Sequence, residues 1–586
     1  MRGDGAQGPA KSENGILRSA FNACRRHIGY VILFSFCLNL LYLAPSIYML
    51  QVYDRVMTSG GVLTLIYLSL VLVAALGVLS FLDATRTRIL ATMARRFDRL
   101  IAPHVLRASL QREGKRAAGN AHVIREFDAL RGAISGQPAL AAIDAPWTPL
   151  YILICFMIHP WIGTLAIVGG ALLVGVAFIN YRSMKAALKD NEKATGALYG
   201  LQLNDSSQGD TAKALGMWGS LVRRQMRARE AMSRSLNESS QSGAVYASST
   251  KFLRLVLQSA SLGLGAYLAI HGDISAGGVI AASILTSRAF APLELIVGAW
   301  RQFEQGRQAY KIISEVLATQ EETRNYTLLP DPKGQLSVEN AVVRSPNSDR
   351  FLLAGANFRV EAGEIVGILG PSGAGKTTLV RVITGAQPLD QGAVRLDGAK
   401  LTDWDPDRLG PHIGYLPQEL GLFAGSIKDN ICRFQTGDAE EIDRAVIEAA
   451  KQAGVHELIL TLPQGYDSEI GAGGRGLSTG QAQRVALARA LYGNPVLIAL
   501  DEPNAHLDQE GEAALVNALK AARARGATIM VVAHRAGFMN IADKLMVVNN
   551  GRVEGFGPRD MVLQKLNAGG GPRPVVVSST EPARPT

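Results

Sequence analysis

Long uncharged apolar runs fill the first half of the chain, whereas short apolar runs set between glycine-rich turns fill the second. The first pattern is that of membrane helices, the second that of alternating strands and helices in a parallel sheet. Ile28 to Leu50 is almost free of charge. At about 1.5 Å per helical residue it can cross roughly 30 Å of hydrocarbon. Val62 to Leu82 predicts a second span. Pro146 to Asn180 is too long for one crossing, and His159-Pro160 marks a turn between a third and a fourth. Phe252 to Ile270 and Gly277 to about Trp300 supply the fifth and sixth.

Basic residues orient these spans. Arg18, Arg25 and Arg26 precede the first, and the connections from Arg86 to about Asp144 and from about Arg182 to Lys251 are rich in Lys and Arg. The loop His271 to Ala276 contains neither. By the positive-inside rule both termini and both long connections face the cytosol. Those connections read as membrane helices continued into water, with segments near 105–125 and 205–218 touching a soluble domain. Arg288 falls inside the sixth span, where a charge either faces an aqueous cavity or pairs with a neighbour such as Glu294.

A chain of 586 residues is too long for one core. The expected fold class is an α-helical six-span membrane domain followed by an α/β P-loop nucleotide-binding domain. The expected boundaries are a polar tail over 1–20, the membrane domain over 21–320, the nucleotide-binding domain over 321–568 and a disordered tail over 569–586. The net charge of +10 belongs mainly to cytosolic flanks of the spans. Basic and aromatic residues are not interleaved as a single-strand groove requires, so no nucleic acid partner is expected. Cys24, Cys37, Cys155 and Cys432 lie far apart and suggest neither a disulfide framework nor a zinc site.

The candidate chemistry lies in the second half. Glu364 to Leu369 reads as a buried strand, and Gly370-Pro371-Ser372-Gly373-Ala374-Gly375-Lys376-Thr377-Thr378 follows it into a helix. Strand, glycine-rich turn and helix are the context a P-loop needs, because backbone N–H groups and the helix N-terminus then converge on phosphate. Lys376 should reach the β and γ phosphates, and the Thr377 hydroxyl should ligate Mg²⁺. Val496 to Leu500 reads as a second buried strand ending at Asp501 and Glu502. One carboxylate can hold the metal while the next polarises water. Ser478 and Gln481, three residues apart before an apolar helical pattern, form a capping-box signal.

Leu477-Ser478-Thr479-Gly480-Gln481 resembles the signature of ATP-binding cassette proteins, with Thr479 where Gly is usual. The resemblance implies that Ser478, Gly480 and Gln481 complete the ATP site of a second subunit, hence a dimer. Tyr415-Leu416-Pro417-Gln418 is similar to the Q loop, which implies that Gln418 contacts Mg²⁺ and the attacking water. Asn504 to Asp508 is similar to the D loop, and His534 to the switch histidine that contacts the γ-phosphate. The adenine-stacking aromatic of the family would fall near Arg344, where there is none. Arg344 either stacks on the base in its place or is an exposed loop charge.

Six spans fused to one cassette resemble an exporter half-transporter. Ser46 to Val56, Asp144 to Pro149, Arg288 to Glu294 and Glu502-Pro503-Asn504 resemble the permease/ATPases of bacterial type I secretion, specifically the protease, lipase and glycanase exporter subgroup. This resemblance implies an inner-membrane homodimer driven by ATP and Mg²⁺, with its cassettes cytosolic. It also implies a periplasmic membrane-fusion adaptor, an outer-membrane channel, and an unfolded protein substrate with an uncleaved C-terminal signal, often of calcium-repeat type. An exporter of lipid, glycan precursor or small molecule is the alternative on the same frame. Fewer than about thirty residues precede the first span, so leader cleavage by this chain is not expected.

Overall fold

The computed structural model describes residues 15–111, 117–207, 209–318, 326, 328–345, 350–532 and 536–568. It divides into two compact units, Met1–Thr323 and Arg324–Thr586.

The first unit is helical. Its elements are α1 (Gly15–Leu41), α2 (Ala44–Gln51), a π-turn at Val52–Val56, α3 (Met57–Ser59), α4 (Val62–Gln111), α5 (Ala117–Ser135) and α6 (Gln137–Asp144). There follow α7 (Thr148–Ile158), α8 (Pro160–Ser207), α9 (Gly209–Ala214), α10 (Trp218–Ile270) and α11 (Ala276–Ala318). Six stretches are long and apolar enough to cross a membrane. With 50, 48, 53 and 43 residues, α4, α8, α10 and α11 extend well beyond the hydrocarbon. At 1.5 Å per residue, α4 alone is about 75 Å long. The long polar connections are therefore helical, as their patterning predicts. The segments near 105–125 and 205–218 lie where α4 gives way to α5 and α8 to α10, with residues 112–116 and 208 outside the described set.

Two expectations shift. The helix α1 begins at Gly15, inside the stretch read as a polar tail, while residues 1–14 and 569–586 lie outside the described residues. The third crossing does not start at Pro146, because α7 has 11 residues, about 16 Å. It extends through α6, a 3₁₀ turn at Ala145–Trp147 and α7. Pro146 and Pro149 occupy first-turn positions, where a missing N–H costs no helical bond.

Long-range polar contacts hold this unit together. The buried Arg86 guanidinium donates to Asp144 Oδ1 (2.8 Å) and Oδ2 (3.0 Å), Ser35 Oγ (2.7 Å) and Asp83 Oδ1 (2.8 Å). Ser35 Oγ also donates to Asp144, and Tyr151 Oη donates to the Asn39 carbonyl. From the π-turn, Asp54 accepts from Gly277 N (2.8 Å) and Ser275 Oγ (2.6 Å), capping the start of α11. A Cβ on Gly277 would lie 2.6 Å from the Leu50 carbonyl oxygen, so this approach requires glycine. Arg288 stacks over Tyr42 at 4.4 Å from the ring centroid. Glu294 pairs instead with Arg254, at 2.7 Å.

The second unit contains β1 (Leu336–Arg344), β2 (Phe351–Val360), β3 (Ile365–Leu369), α12 (Lys376–Ile383), β4 (Gln391–Leu396), β5 (Ala399–Lys400), α13 (Pro406–Leu409) and β6 (Ile413–Leu416). Next come β7 (Gly425–Ser426), α14 (Ile427–Ile431), α15 (Ala439–Gln452), α16 (His456–Leu460), β8 (Glu469–Ile470) and α17 (Thr479–Leu491). The chain continues through β9 (Leu497–Asp501), α18 (Gln509–Ala524), β10 (Thr528–Val532), α19 (Ala536–Met539), β11 (Lys544–Asn549), β12 (Arg552–Pro558) and α20 (Arg559–Ala568). An antiparallel sheet has the order β2-β1-β4-β5, and the main sheet the order β12-β11-β3-β10-β9-β6.

All strands of the main sheet from β11 to β6 run parallel, with β12 antiparallel at the edge. Every residue of β3, β9 and β10 is buried, which explains their unbroken apolar sequences. Alternate residues enter two cores: Ile498 and Leu500 meet Val485 and Leu515 on one face, while Leu497 and Ala499 join Leu379 and Ile383 on the other. The carboxyl ends of β3 and β9, which flank β10, carry the P-loop and the Asp501-Glu502 pair. In an open parallel sheet that edge is where ligands bind.

Candidate functional site

The P-loop is shaped by backbone that only glycine adopts readily. Gly370 has φ 154°, and a Cβ there would lie 2.1 Å from the Val548 carbonyl oxygen. Gly375 has φ 103°, and a Cβ would lie 2.5 Å from the Leu352 carbonyl oxygen. Pro371, Ser372 and Gly373 are exposed, whereas Ala374 is buried and its carbonyl accepts from Gly551 N at 2.9 Å. The loop is thus anchored at its rear and open at its front. Lys376, Thr377 and Thr378 form the first turn of α12. Lys376 Nζ donates to the carbonyls of Gly370 (2.8 Å) and Pro371 (2.9 Å). Burial pulls the Lys376 ammonium below the ordinary lysine range, an effect opposed by the nearby charges of Glu502 and Asp501.

Asp501 is 1% exposed, and neither carboxylate oxygen receives a hydrogen bond of good geometry. Burial raises its carboxyl above the usual aspartate range; the adjacent Thr377 hydroxyl and the Arg381 and Lys376 charges oppose this, and Glu502 adds to it. Two orphan carboxylate oxygens beside a threonine hydroxyl are an oxygen donor set suited to Mg²⁺, a hard cation that takes few protein ligands. Glu502 follows with φ 51°, a left-handed conformation that costs a non-glycine residue about 1–3 kcal/mol. Its N–H donates to the Val532 carbonyl (3.2 Å), and Gln418 Nε2 donates to its Oε2 at 3.5 Å. The structure therefore gathers Lys376, Thr377, Gln418, Asp501 and Glu502, which come from three separate sequence segments. His534 lies outside the described residues.

The capping box at α17 forms as the spacing predicts: Ser478 Oγ accepts from Gln481 N (3.2 Å) and Gln481 Oε1 from Ser478 N (2.9 Å). The Thr479 side chain is exposed in the first turn. A Cβ on Gly480 would lie 2.9 Å from the His506 carbonyl oxygen, so the start of α17 packs directly on the loop after β9. Among the described residues no hydrogen bond joins Ser478, Gly480 or Gln481 to the P-loop of the same chain. Arg344 ends β1, its N–H bonded to Asp390 Oδ2 at 2.6 Å. Its guanidinium stands 5.5 Å from the centroid of the half-exposed Phe351 ring.

Three side chains that the sequence did not single out frame this centre. Gln483 of α17 is 3% exposed and bonds to the loop beyond Asp501. Arg489, from the end of α17, donates to the carbonyls of Leu420 (2.9 Å) and Gly421 (3.0 Å), next to Gln418. Arg381 is close enough to bond Tyr415 and to act on Asp501. Each is a polar residue on an otherwise amphipathic helix, and helical periodicity does not say what a polar position touches.

Residues 353–505 match the family described as ABC transporter. The "Type I secretion system ATP-binding protein PrsD" of Rhizobium meliloti (strain 1021) is 41% identical over 559 residues, 95% of this chain and 96% of that protein. The "Toxin RTX-I translocation ATP-binding protein" of Actinobacillus pleuropneumoniae is 28% identical over 544 residues, 92% of this chain and 76% of the relative. A solved bacterial Atm1-family ABC exporter with ATP bound has the same fold, with a TM-score of 0.81 at 23% identity over 92% of this chain and 96% of that one. The chain belongs to the ATP-binding cassette transporters, among the permease/ATPases of bacterial type I secretion systems. It is a multi-pass membrane protein that binds ATP and couples its hydrolysis to export.

Proposed function

We propose that this chain forms a homodimer that exports unfolded protein across the inner membrane as the energised component of a type I secretion system. The observation that carries this reading is the 41% identity to a type I secretion ATP-binding protein, which extends over 95% of the chain and so includes the spans as well as the cassette. Both termini and the cassette lie in the cytosol, as the basic flanks require. The chain works with a periplasmic membrane-fusion adaptor and an outer-membrane channel, and its substrate carries an uncleaved C-terminal signal, of calcium-repeat type.

In this reading the P-loop N–H groups of Gly373 to Lys376 receive the ATP phosphates, helped by the positive end of α12. Lys376 exchanges two backbone carbonyls for phosphate oxygens, regaining the anionic partners that a buried ammonium favours. Thr377, Asp501 and Gln418 would hold Mg²⁺, which neutralises phosphate charge when bound. Glu502 accepts the proton of the attacking water, with Gln418 orienting both. His534 contacts the γ-phosphate, and Arg344 stacks on adenine. Ser478, Gly480 and Gln481 act on the ATP of the partner subunit, consistent with their lack of bonds to their own P-loop.

The test is a chromosomal Glu502→Gln replacement with secreted proteins compared by mass spectrometry, alongside ATP turnover of the purified transporter. Loss of specific secreted proteins with turnover reduced by about 10²-fold or more supports the reading. Intact protein secretion with accumulated lipid or glycan precursor would assign a different cargo, and undiminished turnover would remove Glu502 from its role.

A further inference from the structure

Gln483 lies five residues beyond the Ser478 N-cap of α17, and its side chain reaches the loop that follows β9. It is 3% exposed, in a stretch of α17 where Ala482, Val485 and Ala486 are also buried. An uncharged amide buried so deeply must use its donors and acceptor, because an unmet amide would lose its hydration without replacement. All three functions converge on one loop. Nε2 donates to the carbonyls of Pro503 (2.5 Å) and Glu502 (3.4 Å), and Oε1 accepts from His506 N (3.0 Å).

That loop needs holding. Glu502 stands at φ 51° directly after a fully buried strand, a conformation that persists only when its surroundings over-determine it. The loop's own backbone supplies Ala505 N to the Glu502 carbonyl (3.2 Å) and Leu507 N to the Asn504 carbonyl (3.4 Å), both at the long end of hydrogen bonding. Gln483 clamps the same turn from outside, on both sides of Pro503. Downstream, Asp508 caps α18 through Gly511 N (2.8 Å) and accepts from Arg484 (2.5 Å), so adjacent residues of α17 secure both ends of the loop.

We infer that Gln483 is the positioning residue that sets the Glu502 carboxylate for water attack, acting through the Glu502 and Pro503 carbonyls and touching no substrate. This rests on the proposed role of Glu502. A carboxylate displaced by about 1 Å can cost up to 10²-fold in rate while leaving phosphate binding by the separate P-loop intact. Gln483 thereby fixes kcat and not the affinity for ATP. It also ties the Glu502 loop rigidly to a helix whose first turn carries Ser478 and Gly480.

The experiment compares full-length wild type, Gln483→Met, Gln483→Glu and Glu502→Gln, each reconstituted in lipid, by ATPase kinetics and thermal unfolding. Met preserves volume and makes no hydrogen bond. Its kcat is expected to fall about tenfold or more with KM for ATP changed less than about twofold. Glu at this position accepts from His506 N but, ionised, repels the two carbonyls. Its activity is therefore expected to be low near about pH 8 and to recover toward about pH 6, as the buried carboxyl gains a proton it can donate to Pro503. A wild-type kcat in Gln483→Met overturns the inference. If Met lowers the unfolding temperature, the Glu profile decides, and a profile parallel to wild type overturns it as well. Undiminished turnover in Glu502→Gln would instead sink the assignment of Glu502, independently of the Gln483 result.

Discussion

Two buried ionic clusters, one in each unit, differ in how completely they are satisfied. Around Arg86 the guanidinium donates to Asp144, Asp83 and Ser35, and Ser35 donates to Asp144 in turn. Around Lys376 the ammonium rests on backbone carbonyls while neither Asp501 oxygen receives a hydrogen bond of good geometry. A cluster closed by ion pairing joins α1, α4 and the end of α6, although the buried Arg86 Nε itself has no hydrogen-bond partner. The open cluster lies at the carboxyl edge of a parallel sheet, where ligands bind, and its free carboxylate oxygens suit the metal proposed above. Buried charge alone therefore does not distinguish the two clusters; a buried carboxylate with neither oxygen hydrogen-bonded does.

Single-charge removals provide the severest test. Arg86→Leu should destabilise the membrane unit by about 3–5 kcal/mol, because the largely buried Asp144 carboxylate is left with the Ser35 hydroxyl and without its cation. Arg86→Leu combined with Asp144→Leu should recover most of that loss, as measured by unfolding in detergent. A single replacement as mild as the double would show that the cluster is not closed.

Asp501→Asn should behave in the opposite way. Its ATP turnover should fall at least about 10²-fold, equivalent to roughly 2.7 kcal/mol, yet the protein without nucleotide should become more stable. The sign follows from linkage. Burial raises the folded-state pKa of Asp501, so the folded state holds this proton more tightly than the unfolded chain. The group's contribution to stability is complete at low pH and is lost as pH rises through that raised value. Asn removes this loss. The unfolding temperature should increase by about 2–4 °C at pH 8, and the gain should shrink as pH falls through the raised folded-state value. Excess Mg²⁺ should stabilise the wild type and not the variant.

A smaller effect should appear where a carboxylate is satisfied and only half-buried. Asp54 caps α11 across a separation of 223 residues, and Asp54→Ala should cost about 1 kcal/mol, the usual value of a helix N-cap. Hydrogen exchange at the start of α11 should accelerate while ATP affinity stays unchanged. The smallest change belongs to Ser478→Ala, about 0.5–1 kcal/mol of local stability at α17. If this serine also serves a partner's ATP, turnover should fall by much more than that loss of stability accounts for.

Local patterns reached a long way into this fold. The P-loop, the strand before Asp501, the capping box and the turn at His159-Pro160 are each contiguous, so the physics that creates them lies within a dozen residues. Legibility ended where a polar residue chose a distant partner. Glu294 was a reasonable partner for Arg288 by proximity, yet the structure pairs it with Arg254 and lays Arg288 on Tyr42. Arg344 was read without Phe351, which β1–β2 pairing brings opposite it. The third crossing was misjudged at its start because α6 is only moderately apolar and is interrupted by a 3₁₀ turn.

By itself the sequence determined that this protein crosses a membrane six times, carries a P-loop ATPase unit and resembles secretion permeases, because apolar length, glycine backbone freedom and short motifs are properties of local chain. Tertiary structure alone decided that Arg86 closes on Asp144, that Asp54 caps α11, and that Gln483 reaches the carbonyls on both sides of Pro503. A hydrogen bond is directional and short, and which groups come within 3 Å of one another depends on how whole helices and sheets pack. Periodicity can assign a residue to a face, but packing determines what that face meets.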